Sequence, residues 1–322
     1  MATVFLSADE PPPGDCRGGA VSVGNFDGVH RGHAALVAEL VARARRVGGP
    51  AVAVTFDPHP IALLAPERLQ PLLTTPSDRA ELLQAAGADH VVVLKTTPEL
   101  LHQEARAFLD GLFGDRLAVR AVVEGFNFRF GRGRAGDNEL LADWCRGRGV
   151  ALTVVPPFAL DGAVVSSSRV RSALEAGDVA AAARLLGRPY RLRGEVGAGA
   201  KRGRSLGFPT ANLERPATLV PGDGVYAVRA VLADGSAWPA AANVGPNPTF
   251  GEQARKVEAH LIGFAGDLYG RPLAVDFVAR LRDTRPFAGP ADLVEQLRTD
   301  VETAKRLVGS VRDASAKRLG GT

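Results

Sequence analysis

The stretch that decides the fold is Ala20-Val21-Ser22-Val23-Gly24-Asn25-Phe26-Asp27-Gly28-Val29-His30-Arg31-Gly32-His33. An apolar run leads into a glycine-rich turn, and a helical pattern begins near Arg31. A strand that passes through such a turn into a helix is typical of polyphosphate sites, because backbone N–H groups and the helix dipole create a positive potential there. The stretch therefore predicts one strand–turn–helix unit of a phosphate-binding α/β sheet.

His30 and His33 bracket Gly32, so both imidazoles can donate hydrogen bonds to phosphate oxygens from one side. The ligand that fits this arrangement is a nucleoside triphosphate whose α-phosphate is attacked, which makes nucleotidyl transfer the first hypothesis. The alternative is a strand-to-helix loop whose histidines only cap the helix.

Residues 20–155 alternate short apolar runs with helical patterns, which predicts an open, Rossmann-like parallel sheet with helices on both faces. The predicted strands are 21–23, 51–54, 90–94, 119–123 and 152–155, and the predicted helices lie near 31–47, 77–86, 98–113 and 137–148. Ligands bind at the carboxyl ends of the strands in such sheets. We therefore expect His30, His59, Asn127 and Ser166, which follow predicted strands, to meet at one edge.

The second part of the chain changes to short alternating strands separated by turns, after two helices near 168–176 and 178–186. This pattern predicts an antiparallel barrel or sandwich, of which we expect the barrel, followed by an amphipathic helix over about 290–309. The predicted strands are 190–196, 224–232, 237–243, 256–262 and 273–281. The fold class is thus α/β with two domains, a parallel-sheet domain over 1–187 and a β-barrel domain over 188–322.

Composition limits the possible classes of protein. The chain has 322 residues, of which 46% are hydrophobic and 23% charged, as in ordinary globular proteins. No run approaches the roughly 20 apolar residues of a membrane span, and no secretory signal is visible, so we expect no membrane partner. Cys16 and Cys145 lie far apart without CxxC spacing, which argues against a zinc site or a disulfide and fits a cytoplasmic location. The net charge of +4 comes from scattered arginines, so we expect no nucleic-acid partner.

Three further motifs belong to the first domain. Phe56-Asp57-Pro58-His59-Pro60 is a stiff loop that could present an aromatic ring and an imidazole to a flat ligand, or serve structure alone. Residues 125–137 interleave phenylalanines with Asn127 and arginines, a composition that also occurs in RNA-binding loops. The serines at 166–168, followed by Arg169, open a helix as a second phosphate clamp.

The second domain contains a glycine-rich basic segment over 194–208 that ends in Pro209-Thr210-Ala211-Asn212. Such a segment suits phosphate, although it lacks the ending of a Walker A loop; the alternative is a hairpin with a flexible basic loop. On a strand, Thr210 and Asn212 point to the same face, and their oxygens suit Mg²⁺. Glu258, on a later strand beside His260, could be a general base or only part of a salt bridge.

These motifs together resemble the bacterial bifunctional riboflavin kinase/FAD synthetase family over about residues 20–305. The turn at 26–30, the FDPHP loop, the stretch at 125–131 and the serine-rich helix start resemble its HxGH nucleotidyltransferase domain. The segment Gly207-Phe208-Pro209-Thr210-Ala211-Asn212, the segment 243–251 and Glu258 resemble its riboflavin kinase domain. Departures from the family pattern occur at Glu124, Gly263 and Thr284.

The resemblance implies phosphorylation of riboflavin to FMN in the second domain and adenylylation of FMN to FAD in the first, each with ATP and Mg²⁺. We expect the protein to be a monomer or a transient homo-oligomer. The implied catalytic residues are His30, His33, Arg169 and Glu258. The implied binding residues are Asn25, Phe26, Asp27, Gly32, Ser166, Ser167, Lys201, Gly203 and Arg204 for ATP and its phosphates, Phe56, His59, Asn127 and Phe128 for flavin, and Thr210 and Asn212 for the metal.

Three alternatives stay open at this point. A class I aminoacyl-tRNA synthetase shares a similar turn but needs a Lys-Met-Ser-Lys-Ser loop, and the only methionine is Met1. A monofunctional riboflavin kinase with a decayed first domain is disfavoured by the intact His30, His33 and Arg169. A flavin-binding regulator or an RNA-binding protein would bind its ligand without consuming ATP.

Overall fold

The computed structural model describes residues 2–7, 10–198, 207–247 and 252–319. The chain divides into two compact units, Met1–Ser167 and Ser168–Thr322. The helices that precede the barrel therefore belong to the second compact unit. The boundary after residue 187, drawn where the helical pattern gives way to short alternating strands, stays a prediction.

The first unit contains eight strands among its described residues. The strands are β1 Ala2–Leu6, β2 Ala20–Val23, β3 Ala51–Asp57, β4 His90–Lys95, β5 Ala121–Gly125, β6 Ala151–Val155, β7 Ala159–Leu160 and β8 Ala163–Val164. The helices are α1 Arg31–Val47, α2 Ile61–Leu64, α3 Pro76–Ala85, α4 Pro98–His102, α5 Ala105–Phe108 with its π-helical continuation Leu109–Arg116, and α6 Asn138–Arg148. Short 3-10 turns lie at Gly14–Cys16, Pro66–Arg68 and Arg132–Arg134.

Six of these strands form one parallel sheet in the order β1-β4-β3-β2-β5-β6, which confirms the predicted α/β class. The strand order reverses at β2, which pairs with β3 on one side and with β5 on the other. A crevice forms at such a reversal, beyond the carboxyl ends of the strands, and ligands of open α/β sheets bind there. The turn that follows β2 lies at this point.

Both faces of the sheet are covered, which explains why its strands read as continuous apolar runs. One face, with Val23 and Val54, packs against helical residues such as Phe113 and Trp144. The other face packs against α1, where Val37 and Leu40 are completely buried; a fully buried side chain of this size contributes roughly 1.5–3 kcal/mol.

The differences from the prediction in the first unit include an additional strand and a divided helix. Strand β1, which pairs with β4 at the edge of the sheet, was not among the predicted strands. The single helix predicted over 98–113 is wrong, because α4 ends at His102 and a new helix begins at Ala105. The backbone of Gln103 is extended there, and its carbonyl accepts a hydrogen bond from the Arg132 N–H at 2.7 Å instead of continuing the helix.

The second unit begins with two helices and continues as a barrel. Its helices are α7 Ser167–Glu175, which starts at the last residue of the first unit, α8 Val179–Leu186 and the terminal α9 Pro290–Leu319. Its strands are β9 Tyr190–Gly197, β10 Ala211–Glu214, β11 Gly224–Leu232, β12 Ala237–Asn247, β13 Glu252–Leu261 and β14 Pro272–Arg282.

The six strands close antiparallel in the order β10-β13-β12-β11-β14-β9, which confirms the barrel rather than the sandwich. Helix α9 packs on the barrel through Ala304 and Val308, and it extends past the predicted end at residue 309. Among the described residues, no helix combines the length and apolar character that crossing a membrane requires.

Candidate active sites

The turn between β2 and α1 reverses direction through an unusual backbone. Phe26, Gly28 and Val29 have positive φ angles of 48°, 82° and 39°. Left-handed backbone is costly for residues other than glycine and persists only where the surroundings hold it. Here the side chains of Phe26 and Val29 are buried, 3% and 4% exposed, and act as anchors. The packing of these two side chains therefore holds the turn in this conformation.

His30 and His33 lie together at the start of α1. His30 caps the helix, because its Nδ1 accepts the His33 backbone N–H at 3.3 Å. A neutral imidazole that accepts through Nδ1 carries its proton on Nε2, which leaves that atom able to donate. The two rings stack with centroids 3.7 Å apart and planes 16° apart. Capping, the alternative interpretation of these histidines, is thus observed through the Nδ1 of His30.

Gly32 makes this stacking possible. A Cβ atom at position 32 would lie 3.2 Å from the His30 ring, tighter than ordinary van der Waals contact. The glycine between the histidines therefore leaves room for the His30 ring.

The His33 ring is neutral in the folded protein. Burial lowers the pKa of His33 well below its usual 6.5, and the charges of His30 and Arg79 lower that pKa further. Its Nδ1 is buried and, within the described parts of the chain, has no hydrogen-bond partner. A neutral imidazole beside the N-terminus of α1 suits an incoming phosphate.

Hydrogen bonds of Asp27 with residues outside the turn hold the turn in place. Its carboxylate accepts hydrogen bonds from the Leu73 and Thr74 N–H groups and from the Thr74 hydroxyl at 3.0–3.1 Å. The Thr74 hydroxyl also accepts the Gly28 N–H at 3.1 Å. The Ser167 hydroxyl donates to the Asp27 backbone carbonyl at 2.8 Å. Two residues expected at the phosphates, Asp27 and Ser167, therefore make contacts that position the turn itself.

The loop after β3 is also braced from within. His59 Nδ1 accepts the Ile61 N–H at 3.2 Å, and the Thr96 hydroxyl donates to the Pro58 carbonyl. Phe56 is partly buried and packs against the core of the sheet. Arg79 of α3, which no sequence motif marks, lies behind this loop and bonds to the Phe56 carbonyl at 3.2 Å.

The loop after β5 divides its aromatic side chains between core and surface. Phe128 stacks on Phe130, with centroids 5.1 Å apart, and packs against the core, whereas Phe126 is 49% exposed. Asn127 is exposed, and the side chain of Asn138 donates to the carbonyls of residues 125 and 126. Phe126, which was not among the predicted flavin contacts, is therefore better exposed for stacking than Phe128.

Glu124, at the end of β5, lies inside the sheet. It is 1% exposed, and its Oε1 accepts the Val23 N–H at 2.8 Å. The paired residues of β2 and β5 end at Val21 and Val122, so the side chain bridges the strands where they separate. Burial raises the pKa of Glu124 well above its usual 4.5, and the hydrogen bond from Val23 opposes this only in part. Burial thus favours the neutral form of the Glu124 carboxyl beside the phosphate turn.

The residues that follow β8 do not extend the parallel sheet. Strand β8 pairs only with β7 in a two-stranded ribbon, Ser166 comes after it, and Arg169 lies on the first turn of α7.

In the barrel, three polar residues form a row across neighbouring strands. Asn212 on β10 and Asn243 on β12 both lie opposite Glu258 on β13. The neighbours of Glu258 along β13, Val257 and Ala259, are buried in the barrel. The row therefore lies on the opposite, partly exposed face of these strands. Asn243 was not among the predicted site residues, although the family-like segment 243–251 begins with it.

Two cavities lie beside strand β10. Asn212 and Lys256 line a cavity of about 570 Å³, and Thr210 and Asp267 line a smaller one of about 80 Å³. Thr210 and Asn212 offer a hydroxyl and an amide oxygen, hard donors that fit Mg²⁺. The predicted phosphate contacts Lys201, Gly203 and Arg204, and the motif residues 248–251, lie outside the described residues.

Comparison with known proteins identifies both units. The FAD synthetase family model matches residues 13–169, and the riboflavin kinase family model matches residues 186–308. A bifunctional riboflavin kinase/FMN adenylyltransferase of Pseudomonas fluorescens is 41% identical over 90% of this chain and 93% of its own. The chain belongs to the bifunctional riboflavin kinase/FMN adenylyltransferase family.

Other relatives agree with this family. The bifunctional riboflavin kinase/FMN adenylyltransferase of Bacillus subtilis (strain 168) is 33% identical over 91% of this chain and 93% of its own. A solved structure from Streptococcus pneumoniae, described as a macrolide-efflux protein, has a TM-score of 0.83 and 30% identity over 95% of this chain and 99% of its own. The family's two-domain fold therefore accounts for nearly the whole chain.

Proposed function

We propose that this bifunctional enzyme adenylylates FMN at the turn that holds His30 and His33, and phosphorylates riboflavin at the row that contains Glu258. The observation that carries the proposal is the stacked pair of imidazoles at the end of a strand where the sheet order reverses. Both activities follow from the family, and the assignment of each to named residues is the proposal.

In the adenylylation step, an oxygen of the FMN phosphate attacks the α-phosphorus of ATP. A new P–O bond forms, the bond from the α-phosphorus to the bridging oxygen breaks, and pyrophosphate leaves. A phosphate monoester is already a nucleophile near neutral pH, so catalysis consists of positioning and of stabilising negative charge. We assign that stabilisation to His30, His33 and Arg169, with Asn25, Gly32 and Ser166 at the nucleotide.

The flavin would lie along the loops that follow β3 and β5. Phe56, His59 and Asn127 stay the proposed contacts. The exposed ring of Phe126 adds a stacking surface that Phe128, packed on the core, offers only at its edge. Asp27 and Ser167 serve the site by holding the turn.

In the kinase step, Glu258 accepts the proton of the ribityl 5′-hydroxyl while the oxygen attacks the γ-phosphorus of ATP, and ADP leaves. Thr210 and Asn212 would hold Mg²⁺, which neutralises charge on the phosphates. Lys201, Gly203 and Arg204 are proposed to contact those phosphates. Asn243, directly opposite Glu258, joins them as a proposed polar contact.

We further infer a cytoplasmic monomer or transient homo-oligomer that acts without nucleic acid. Support comes from the scattered arginines and from Cys16 and Cys145, which are both free and buried. Light scattering of the purified protein, with and without ATP and FMN, tests the assembly.

Chromatography of flavins tests the two assignments separately. His30→Ala combined with His33→Ala should abolish FAD formation from FMN and leave FMN formation from riboflavin. Glu258→Gln should do the reverse when FMN is supplied. Two exposed residues provide matched controls, His102→Ala on α4 and Glu302→Gln on α9, and both should leave the two activities unchanged. Loss of both activities from either site variant, in a folded protein, would overturn the two-site assignment.

A further inference from the structure

Arg79 is a fully buried arginine outside the residues assigned above. It lies on α3 and is 1% exposed. One guanidinium nitrogen donates to the Thr55 hydroxyl at 3.0 Å and to the Phe56 carbonyl at 3.2 Å, and the other terminal nitrogen lies 3.9 Å from the Asp27 carboxylate. Its Nε has no hydrogen-bond partner in the described part of the chain. A buried charge with so distant a carboxylate is costly, and an apolar side chain of similar volume would often be more stable.

The partners of Arg79 belong to two different substrate loops. Thr55, which is itself completely buried, connects Arg79 to Asn25, because its hydroxyl donates to the Asn25 carbonyl at 3.1 Å. Asn25 and Asp27 belong to the turn proposed to hold ATP. Phe56 lies near the end of β3, where the strand leads into the loop proposed to hold the flavin. One guanidinium therefore connects the backbone of both loops through hydrogen bonds and one long ion pair.

Reaction between two bound substrates depends on their relative placement. An attacking oxygen must lie about 3–3.5 Å from the phosphorus and in line with the leaving group, and a misplacement of 1 Å can cost about a hundredfold in rate. Loops that follow different strands can shift independently unless something joins them. A fork with several donors is suited to joining them, since lysine offers the same charge without the fixed geometry.

We propose that Arg79 is a positioning residue that fixes the ATP turn relative to the flavin loop, so that FMN and ATP meet in line for adenylylation. The inference rests on the proposed function of the first unit. Burial lowers the pKa of Arg79, in keeping with the cost of placing a cation there. Its positive charge also helps to keep His33 neutral.

The test is steady-state kinetics of FAD formation by the full-length chain. Arg79→Met should lower kcat/KM for adenylylation about a hundredfold, with a lower kcat and higher KM values for both ATP and FMN. Thr55→Val removes the hydroxyl that joins Arg79 to Asn25 and leaves the Arg79 bond to the Phe56 carbonyl, so it should raise the KM for ATP more than the KM for FMN. Thr55→Ser keeps the hydroxyl and should restore wild-type kinetics.

Three controls separate positioning from general stability. Riboflavin phosphorylation by the same polypeptide should stay within twofold of the wild-type rate. Arg146→Met, which removes an exposed guanidinium paired with Asp143, should leave adenylylation unchanged. Thermal unfolding shows whether each variant is folded at the assay temperature.

Unchanged adenylylation kinetics in folded Arg79→Met, or an equal change of both KM values in Thr55→Val, would overturn the inference. If Arg79→Met does not fold, the comparison of Thr55→Val with Thr55→Ser decides alone. Absence of FAD formation by the wild-type chain would instead refute the proposed function, so the two failures are distinguishable.

Discussion

Gly32 leaves room for the His30 ring because it has no Cβ atom. In Gly32→Ala the new methyl group would press against the His30 ring at 3.2 Å and displace it from its stacked position. We expect FAD formation to fall at least tenfold while FMN formation is unchanged. Alanine favours a helix over glycine by roughly 1 kcal/mol, so the variant should unfold at no lower temperature than the wild type. Assays of both activities and a thermal melting curve check this expectation. A variant that loses FAD formation because it is unfolded at the assay temperature would contradict it.

Glu124 gives a prediction about pH. In the folded protein its carboxyl keeps its proton well above pH 4.5, whereas in the unfolded chain it ionises near that value. Its contribution to stability is therefore complete below pH 4.5 and is lost as the pH rises towards the pKa of the folded state. Glutamine keeps the acceptor for the Val23 N–H and does not titrate, so Glu124→Gln should gain stability relative to the wild type between pH 5 and 8.

Melting temperatures at the two pH values measure this gain. A difference of 1 kcal/mol corresponds to roughly 2–4 °C in a domain of this size. Parallel curves for the wild type and the Gln variant would show that Glu124 is ionised in the folded protein.

The two cysteines should be unreactive. Burial raises the pKa of Cys16 to about 11, with help from Asp15, and raises that of Cys145 to about 11. Only the thiolate reacts with alkylating reagents, and it is scarce at pH 8 when the pKa is this high. Iodoacetamide at pH 8 should therefore leave the folded protein unmodified and label both thiols in denaturant, as mass spectrometry would report. Rapid labelling of the folded protein would contradict these pKa values.

At the scale of elements, the predictable parts were those encoded locally. Helix α1 begins at Arg31 and ends at Val47, as the sequence predicts, because a capping residue precedes it and Gly48 follows in a left-handed conformation. The break between α4 and α5 could not be predicted, since it depends on a hydrogen bond from Arg132. Strand β1 was missed because its side chains are mostly exposed and its partner β4 lies far along the chain.

The same division applies to the candidate sites. His30, Gly32 and His33 are neighbours in sequence, and the structure brings them together at the start of α1. The contacts of Arg79 and Glu124 join residues far apart in the chain, so no local pattern reveals them. Asn243 was not predicted as a site residue either, because its position opposite Glu258 follows from the register of β12 on β13.

The polar row across β10, β13 and β12 leads to a prediction about the rate of FMN formation. Asn243→Ala removes an amide that directly faces Glu258. Loss of this polar contact should lower FMN formation about tenfold, which corresponds to about 1.4 kcal/mol of transition-state stabilisation. Adenylylation of supplied FMN should continue at the wild-type rate and serves as the control. Equal rates of FMN formation in variant and wild type would exclude Asn243 from the kinase site.

For the whole molecule, the division into compact units predicts where the chain can be cut. Helix α8 packs on β14 and β9 and buries Val179, Leu185 and Leu186. A fragment that starts at residue 188 lacks this helix, whereas a fragment that starts at Ser168 keeps it. We expect the longer fragment to be the more stable by several kcal/mol, because each buried leucine or valine contributes roughly 1.5–3 kcal/mol.

Chemical denaturation of the two fragments measures the difference. Equal midpoints would show that the boundary after residue 187, predicted from the sequence, is also the boundary of stability.

Strand β1 has a practical meaning for anyone who prepares this protein. It covers the outer side of β4, whose central residues Val91, Val92, Val93 and Leu94 are almost completely buried. Trimming the first seven residues would bare the amide and carbonyl groups of a strand that is strongly β-forming and uncharged at its centre, a combination that promotes aggregation. We expect a preparation without these residues to precipitate during purification. An affinity tag should therefore be joined through a linker ahead of Ala2 and should not replace strand β1.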